Sequence, residues 1–424
     1  MVPLLYDVLI WLADLLFKVV ALFHKKAAKI VSGRKSTLQI INNFTTDPLL
    51  PVYWFHCASL GEWEQTIPVV EQIKNVKNSF VLVSFYSPSG FENAKRTDLI
   101  DLKIYLPADT SAGYNVIFEK FKIRAIIFTR YDIWPNLVRK ASLLNIPLIL
   151  IGAEFRQGSR YLNKSSFFGN LLKRFAYISC NDLNSYDLIK KAGFLNASLD
   201  GSPKIERAFD LTAHPQHNDH ISSWKGNDKV IVAGSVWQEE ITLIHDCIKG
   251  ENLNNLKWII APHEPSSAMI ALLKARFGTE MILYSEFIQH PSDKKIIVID
   301  SIGLLSKLYY YADLAVIGGG FGKGIHNILE PACYGIPVIA GPNYTKFSEA
   351  SILIELGVFN PVNNFEQFRN TLDGLLSNES RLDSIKSAIN KFAKNNKNVS
   401  ETISARIIKA VSYTHLTLPT KLEV

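Results

Sequence analysis

From Tyr53 onward the sequence alternates short β-branched or aromatic runs with segments of helical period. That alternation confines the chain to parallel sheets covered by helices on both faces. Tyr53–Cys57, Phe80–Phe85, Ala125–Thr129, Pro147–Ile151 and Tyr177–Cys180 read as one set of strands. Lys229–Ala233, Trp258–Ala261, Met281–Tyr284, Ile296–Ile299, Leu314–Ile317 and Pro337–Ala340 read as a second. Helical patterns lie between them, at Glu64–Lys74, Trp134–Leu144, Glu239–Ile248 and Leu304–Tyr311. A chain of 424 residues exceeds one ordinary core and suits two. The polar stretch His214–Asp228 reads as the linker between two doubly wound domains, residues 36–213 and 214–395. Residues 364–410 are charged, helix-forming and strand-free. They are expected to close the second domain, with a terminal helix at 396–410 returning to the first. Open sheets of this kind bind ligands beyond the carboxyl ends of their strands.

The two ends stand apart. Val2–Phe23 is the most apolar stretch, yet Asp7, Asp14 and Lys18 recur at spacings of seven and four and share one narrow helical stripe. Lys25, Lys26, Lys29, Arg34 and Lys35 follow, a cluster suited to anionic headgroups. No charged segment precedes the apolar run and no small-residue cleavage site follows it, so it is not read as a secretory signal. Three readings fit residues 1–35: a helix lying in or anchored to a membrane, a single spanning helix, or an amphipathic helix packed on the protein itself. At the other end, Val411–Thr420 breaks the preceding helical pattern and resembles a translated adapter fragment, so residues 411–424 are set aside as a non-native tail.

Charge and cysteines narrow the function. The net charge of +7 favours anionic partners. The basic residues are dispersed, without an aromatic-basic platform or a helix-turn-helix pattern, which argues against nucleic acid. Cys57, Cys180, Cys247 and Cys333 are scattered and form no CxxC pair, so they read as reduced thiols rather than zinc ligands or a disulfide frame. There is no DxD, no HExxH and no His/Cys cluster at ligand spacing, hence no metal site is expected.

Several segments carry candidate chemistry. In His56–Glu62, Ser59 and Gly61 follow an apolar strand and Glu62 opens a helix; a carboxylate there suits a general base, and equally a helix-start residue. In Arg130–Asn136, Asp132 is placed either to orient a substrate hydroxyl or to cap the helix beginning at Pro135, and Trp134 is either core or platform. In Gly318–Pro331, five glycines lie between a strand and a helix, with Gly320, Gly322 and Gly324 beside His326, Asn327 and Glu330. Amide groups and a helix start in that order read as a phosphate cradle, the alternative being a glycine-rich turn with no ligand. The spacing fits neither the dinucleotide fingerprint nor a P-loop. Glu330, one turn past Asn327, is suited to a ribose diol. Ser235 ends the first strand of the second domain, His263 follows the next, and Lys204 lies near the domain junction. His263 is a base or phosphate contact or a solvated histidine; Lys204 reads as an exposed lysine or an anion contact.

Together these motifs resemble bacterial 3-deoxy-D-manno-octulosonic acid (Kdo) transferases, the lipid A Kdo transferase family. His56–Glu62 with Pro68 is similar to their "H-A-x-S-x-G-E…P", and Asp132–Asn136 to "E-L-W-P-N". Ala233–Ser235 with Glu239 or Glu240 is similar to "A-G-S-x-x-x-x-E", and Gly324–Pro331 with Gly335 and Pro337 to "G-G-H-N-x-L-E-P…G-x-P". The likeness spans residues 1–395. It implies the GT-B fold, two Rossmann-like domains facing across a cleft, and metal-independent inverting transfer of Kdo from the donor CMP-Kdo to a lipid A precursor. The expected location is the cytoplasmic face of the inner membrane, on an anionic surface, with no cofactor. It implies Glu62 as general base and Ser235, His326, Asn327 and Glu330 as holders of CMP. Arg130 and Asp132 depart from the family's glutamates, and Ile325 interrupts the glycine pair. The competing readings are another GT-B enzyme using a UDP-sugar, as transferase or epimerase, or a non-catalytic membrane-bound nucleotide-binding module.

Overall fold

The computed structural model describes residues 2–45, 50–76, 79–110, 112–213, 215–249 and 256–416. The chain divides into two compact units, Met1–Arg207 with Asn398–Val424, and Ala208–Lys397. Each is built on a seven-stranded, all-parallel sheet.

The first sheet contains β1 (Val52–Cys57), β2 (Phe80–Phe85), β3 (Leu102–Tyr105), β4 (Ile123–Thr129), β5 (Leu148–Ala153), β6 (Phe175–Cys180) and β7 (Ala197–Leu199). Its order is β3-β2-β1-β4-β5-β6-β7. Strand side chains alternate between faces, and here both faces are buried. Val52, Trp54, Leu82, Ile126 and Phe128 enter one core. Tyr53, Phe55, Cys57, Val83 and Ile127 enter the other. That second face is covered by α3 (Leu60–Val76) and by the terminal helix Val399–Leu416, which contributes Val399, Ile403 and Ile407.

The second sheet contains β8 (Lys229–Val236), β9 (Leu256–Pro262), β10 (Met281–Leu283), β11 (Ile296–Val298), β12 (Leu314–Ile317), β13 (Val338–Ala340) and β14 (Phe359–Pro361), in the order β10-β11-β9-β8-β12-β13-β14. In both sheets the first strand lies inside, with its successors on either side. The direction of winding therefore reverses between β1 and β4, and between β8 and β12. Neighbouring loops diverge at those points and leave a crevice at the strands' carboxyl ends.

Four sequence expectations need correction. Strands β3, β7 and β14 lack the long β-branched run of a central strand and were not anticipated; all three are sheet edges, with only one pairing partner to satisfy. The stretch expected to be a linker contains a helix, Asp219–Lys225, whose Ile221 and Trp224 are buried in the second core; His214 lies outside the described residues. The terminal helix does not stop before 411 but continues to Leu416, with Val411 packed beneath the first sheet; residues 417–424 lie outside the described residues. Among the described residues no helix is long and apolar enough to cross a membrane, the spanning reading included.

The N-terminal segment forms α1 (Val2–Val20), followed by α2 (Lys25–Asn43). On α1 the usual orientation is inverted. Tyr6, Asp7, Asp14 and Phe17 face the domain, with Tyr6 Oη donating to Asp109 (2.7 Å), Asp7 accepting from Asn136 Nδ2 (2.7 Å) and Asp14 paired with Arg34 (3.4 Å). Leu5, Leu9, Trp11, Leu12 and Leu16 are exposed, as are Leu22 and Phe23 beyond it.

Candidate active site

In the first unit the reversal point gathers the candidate acid–base groups. β1 ends at Cys57, the chain turns through Ala58 and Ser59, and α3 begins at Leu60. Glu62 lies in the first turn, where helix dipole and unpaired amides favour negative charge. Its side chain is only 8 % exposed and folds back to accept the Ala58 amide (2.5 Å). Burial raises its pKa from 4.5 to about 7; the Ala58 hydrogen bond opposes this, Asp132 adds to it, and His56 and Arg130 oppose it. A carboxyl half-ionised near neutrality is matched to general base work.

Beside it is a buried polar chain. His56, fully buried in β1, has Nδ1 2.9 Å from Ser84 Oγ and Nε2 2.9 Å from Asp132 Oδ2. Trp54 Nε1 donates to Ser84 (2.8 Å), and Trp134 Nε1 donates to Asp132 (3.0 Å). Ser84 can then give its hydroxyl hydrogen to Nδ1, and His56 gives its Nε2 hydrogen to Asp132, a tautomer assigned from these partners. Asp132 is thus a hydrogen-bonded neighbour of His56 rather than the cap of the Pro135–Leu143 helix. That cap comes from Asp109, which accepts from the Asn136 and Leu137 amides (3.1 Å each). Arg130, in left-handed backbone (φ 66°), pairs with Glu154 (2.7 Å).

In the second unit the reversal point holds the glycine-rich turn. Ser235 interrupts β8 as a bulge with φ 52°. A methyl on Gly318 would lie 2.1 Å from the Ser235 carbonyl, and one on Gly320 would lie 2.4 Å from the Gly341 nitrogen. The turns after β8, β12 and β13 therefore pack backbone to backbone. The expected phosphate cradle faces inward. Gly319 and Phe321 amides donate to Glu240 Oε1 (3.0 and 3.5 Å), and the Trp237 amide donates to Glu240 Oε2 (2.9 Å). The amides of Gly318, Gly322, Gly324, Ile325 and His326 are bonded to backbone carbonyls. A buried carboxylate, 2 % exposed, fills the nest that sequence had given to phosphate. The following helix, Leu329–Cys333, has five residues and little dipole.

Side chains, not amides, form the outward surface. His263 stacks on Trp237 (4.4 Å, 20°) and on His326 (4.5 Å, 24°), and Trp237 Nε1 donates to His326 Nε2 (3.0 Å). Burial, and then His263, hold the His326 pKa below its usual value. Asn327 Nδ2 donates to Glu330 (2.9 Å) and its Oδ1 accepts the Leu329 amide (3.0 Å). Ser235, His263, His326, Asn327 and Glu330 thus share one end of one sheet.

Residues 31–207 match the family described as 3-deoxy-D-manno-octulosonic-acid transferase (kdotransferase). The chain is 28 % identical over 307 residues to the 3-deoxy-D-manno-octulosonic acid transferase of Aquifex aeolicus, covering 71 % of this chain and 79 % of that one. The chain is thus similar to the Kdo transferase family, whose domain it matches over residues 31–207. It is 27 % identical to a bifunctional glycosyltransferase/methyltransferase of Fusobacterium nucleatum over 81 % of its own length, and spans 55 % of that longer protein. A structure of UDP-GlcNAc 2-epimerase from Neisseria meningitidis superposes with a TM-score of 0.60 at 12 % identity, covering 85 % of this chain and all of that one; this likeness is one of fold. The fold is of GT-B type, with a doubly wound parallel sheet in each unit.

The other expected site residues fall as follows. Ser59 Oγ accepts the Glu62 amide (3.4 Å) and so caps α3. Gly61 lies inside α3, exposed, with no atom within 4 Å of the place a methyl would take and no positive φ, so the turn does not require glycine there. Gly322 likewise has room, whereas Gly324 has φ 134°. Lys204 stands after β7, four strands from β1 and away from the reversal point. Sequence reasoning missed His56, Trp237 and Glu240 as site residues. A histidine within an otherwise apolar strand was the available signal for His56; Glu239 and Glu240 were indistinguishable until one was buried.

Proposed function

We propose that the protein transfers Kdo from CMP-Kdo to a lipid A precursor at the cytoplasmic face of a bacterial inner membrane. The carrying observation is Glu62, a carboxyl with pKa about 7 at the reversal point of the first sheet. Glu62 takes the proton of the acceptor sugar hydroxyl; that oxygen bonds to the anomeric carbon of Kdo as the bond to CMP breaks on the opposite side, inverting the centre. His56 and Trp134 hold Asp132 beside the base. In the second unit, Trp237, His263 and His326 offer stacked rings to a nucleotide, Ser235 offers its hydroxyl to phosphate, and the Asn327–Glu330 pair suits a ribose. Attraction of the basic start of α2, at Lys25 and Lys26, to anionic headgroups, and the bare apolar face of α1, support the membrane location.

The test is incubation of the protein with CMP-Kdo and lipid A precursor in vesicles, with products weighed by mass spectrometry. Wild type adds Kdo; Glu62→Ala is stabilised by CMP as wild type is, but transfers nothing. Normal turnover by Glu62→Ala overturns the base assignment. Thermal stabilisation by UDP and not by CMP overturns the donor in favour of a UDP-sugar.

A further inference from the structure

The inward stripe of α1 contacts the body of its unit through two chains of residues that end on the same turn. At its start, Tyr6 Oη donates to Asp109 Oδ2 (2.7 Å). Asp109, 2 % exposed, also accepts from Tyr114 Oη (2.8 Å) and from the Asn136 and Leu137 amides, the first turn of the helix that follows Trp134. Asp7 accepts from Asn136 Nδ2 (2.7 Å). Further along, Asp14 pairs with Arg34 (3.4 Å), whose guanidinium also lies near the ring of Phe17 (5.9 Å). Arg34 covers the ring of Tyr86 (5.5 Å), and Tyr86 stacks on Trp134 (5.4 Å, 29°). Trp134 donates to Asp132, the neighbour of His56 and of Glu62.

The polar face of α1 is therefore consumed in bracing residues 132–137 from two sides, while its apolar face has no partner among the described residues of the unit. A helix that served only as an anchor would not need Tyr6 and Asp7 tied to Asp109 and Asn136, nor Asp14 and Phe17 held on Arg34. We infer that α1 is a positioning element: seating its bare face on an anionic lipid surface fixes the Asp132–Trp134 turn, and with it the surroundings of the base. The occupant is lipid rather than a protein groove, because the bare face adjoins the exposed lysines Lys25 and Lys26 and carries no acidic residue outside the inward stripe. The functional part of this inference rests on Glu62 acting as the base. Tyr6, Asp7, Arg34 and Tyr86 are positioning residues, the first two acting through Asp109 and Asn136 and the last two through Trp134.

The test uses the full chain with phosphatidylethanolamine vesicles containing phosphatidylglycerol, and reads hydrogen exchange of residues 131–139. Vesicles slow exchange there in wild type. In Tyr6→Phe, and independently in Arg34→Gln, the slowing is lost. Loss of one hydrogen bond at Asp109 makes the Asn136 and Leu137 amides of Tyr6→Phe exchange about fivefold faster without lipid. On a soluble, deacylated acceptor, kcat falls in both variants while KM for CMP-Kdo is unchanged, a division that general loss of structure would not give. Unaltered exchange over 131–139 in both folded variants overturns the inference. Lipid-dependent exchange in a wild type that transfers no Kdo sustains the brace and overturns the transferase reading instead.

Discussion

Replacing Glu62 by Gln should abolish transfer and yet stabilise the first unit, by an amount that depends on pH. The glutamine keeps an oxygen for the Ala58 amide and cannot ionise. In wild type, the folded pKa of about 7 lies above the ordinary 4.5, so the folded unit holds more proton than the unfolded chain between those values. Its stability therefore falls as pH rises through that window. At about 1.36 kcal/mol per pH unit, the full effect is about 3 kcal/mol, reached above pH 7 and mostly absent at pH 5. For a domain of this size, 1 kcal/mol moves the midpoint by about 2–4 °C. Glu62→Gln should then melt about 5–10 °C above wild type at pH 8, and within a few degrees of it at pH 5. The measurement is a pair of calorimetric scans at the two pH values, following the transition of the first unit, alongside transfer assays. An equal rise at both pH values, or a fall at pH 8, would show that Glu62 is not a buried carboxyl ionising against its surroundings.

Three further outcomes are expected. Asp132→Asn removes a like charge while leaving an acceptor for His56, so Glu62 ionises at lower pH; the acid limb of kcat/KM against pH moves down, and a limb that stays or rises refutes the pairing. Gly320→Ala forces a methyl against the Gly341 backbone and should cost about 1–3 kcal/mol in urea unfolding of the second unit with weakened stabilisation by CMP, whereas Gly322→Ala should be neutral in both. Glu240→Ala leaves the Gly319, Phe321 and Trp237 amides without their acceptor and should destabilise the second unit by about 2–4 kcal/mol, with CMP stabilisation measured in parallel.

The central strands were legible because their burial is local to the pattern: a run such as Phe80–Phe85, hidden on both faces, is apolar at every position but Ser84, which has Trp54 and His56 as partners. Edge strands escaped notice because a segment such as Phe359–Pro361 is paired on one side and only partly buried, which leaves little mark on composition. Glu62 could be placed at a helix start after a strand, and spacing put Asn327 and Glu330 on one face; that they hydrogen-bond to each other came from the structure. The glycines of 318–324 could be recognised as a tight turn; which way its amides faced could not, since that depended on Glu240 arriving from another helix.

Local pattern was enough to specify two parallel α/β layers and the strand ends at which chemistry would gather, because hydrophobic period and turn residues act over a few positions. Long-range packing supplied what remained. It put His56, Asp132 and Arg130 around Glu62 and dried that carboxyl until its pKa approached neutrality. It also turned the apolar side of α1 outward by matching Tyr6, Asp7 and Asp14 to partners far along the chain. Dielectric surroundings and hydrogen-bond partners belong to contacts between distant segments, and no short stretch of residues encodes them.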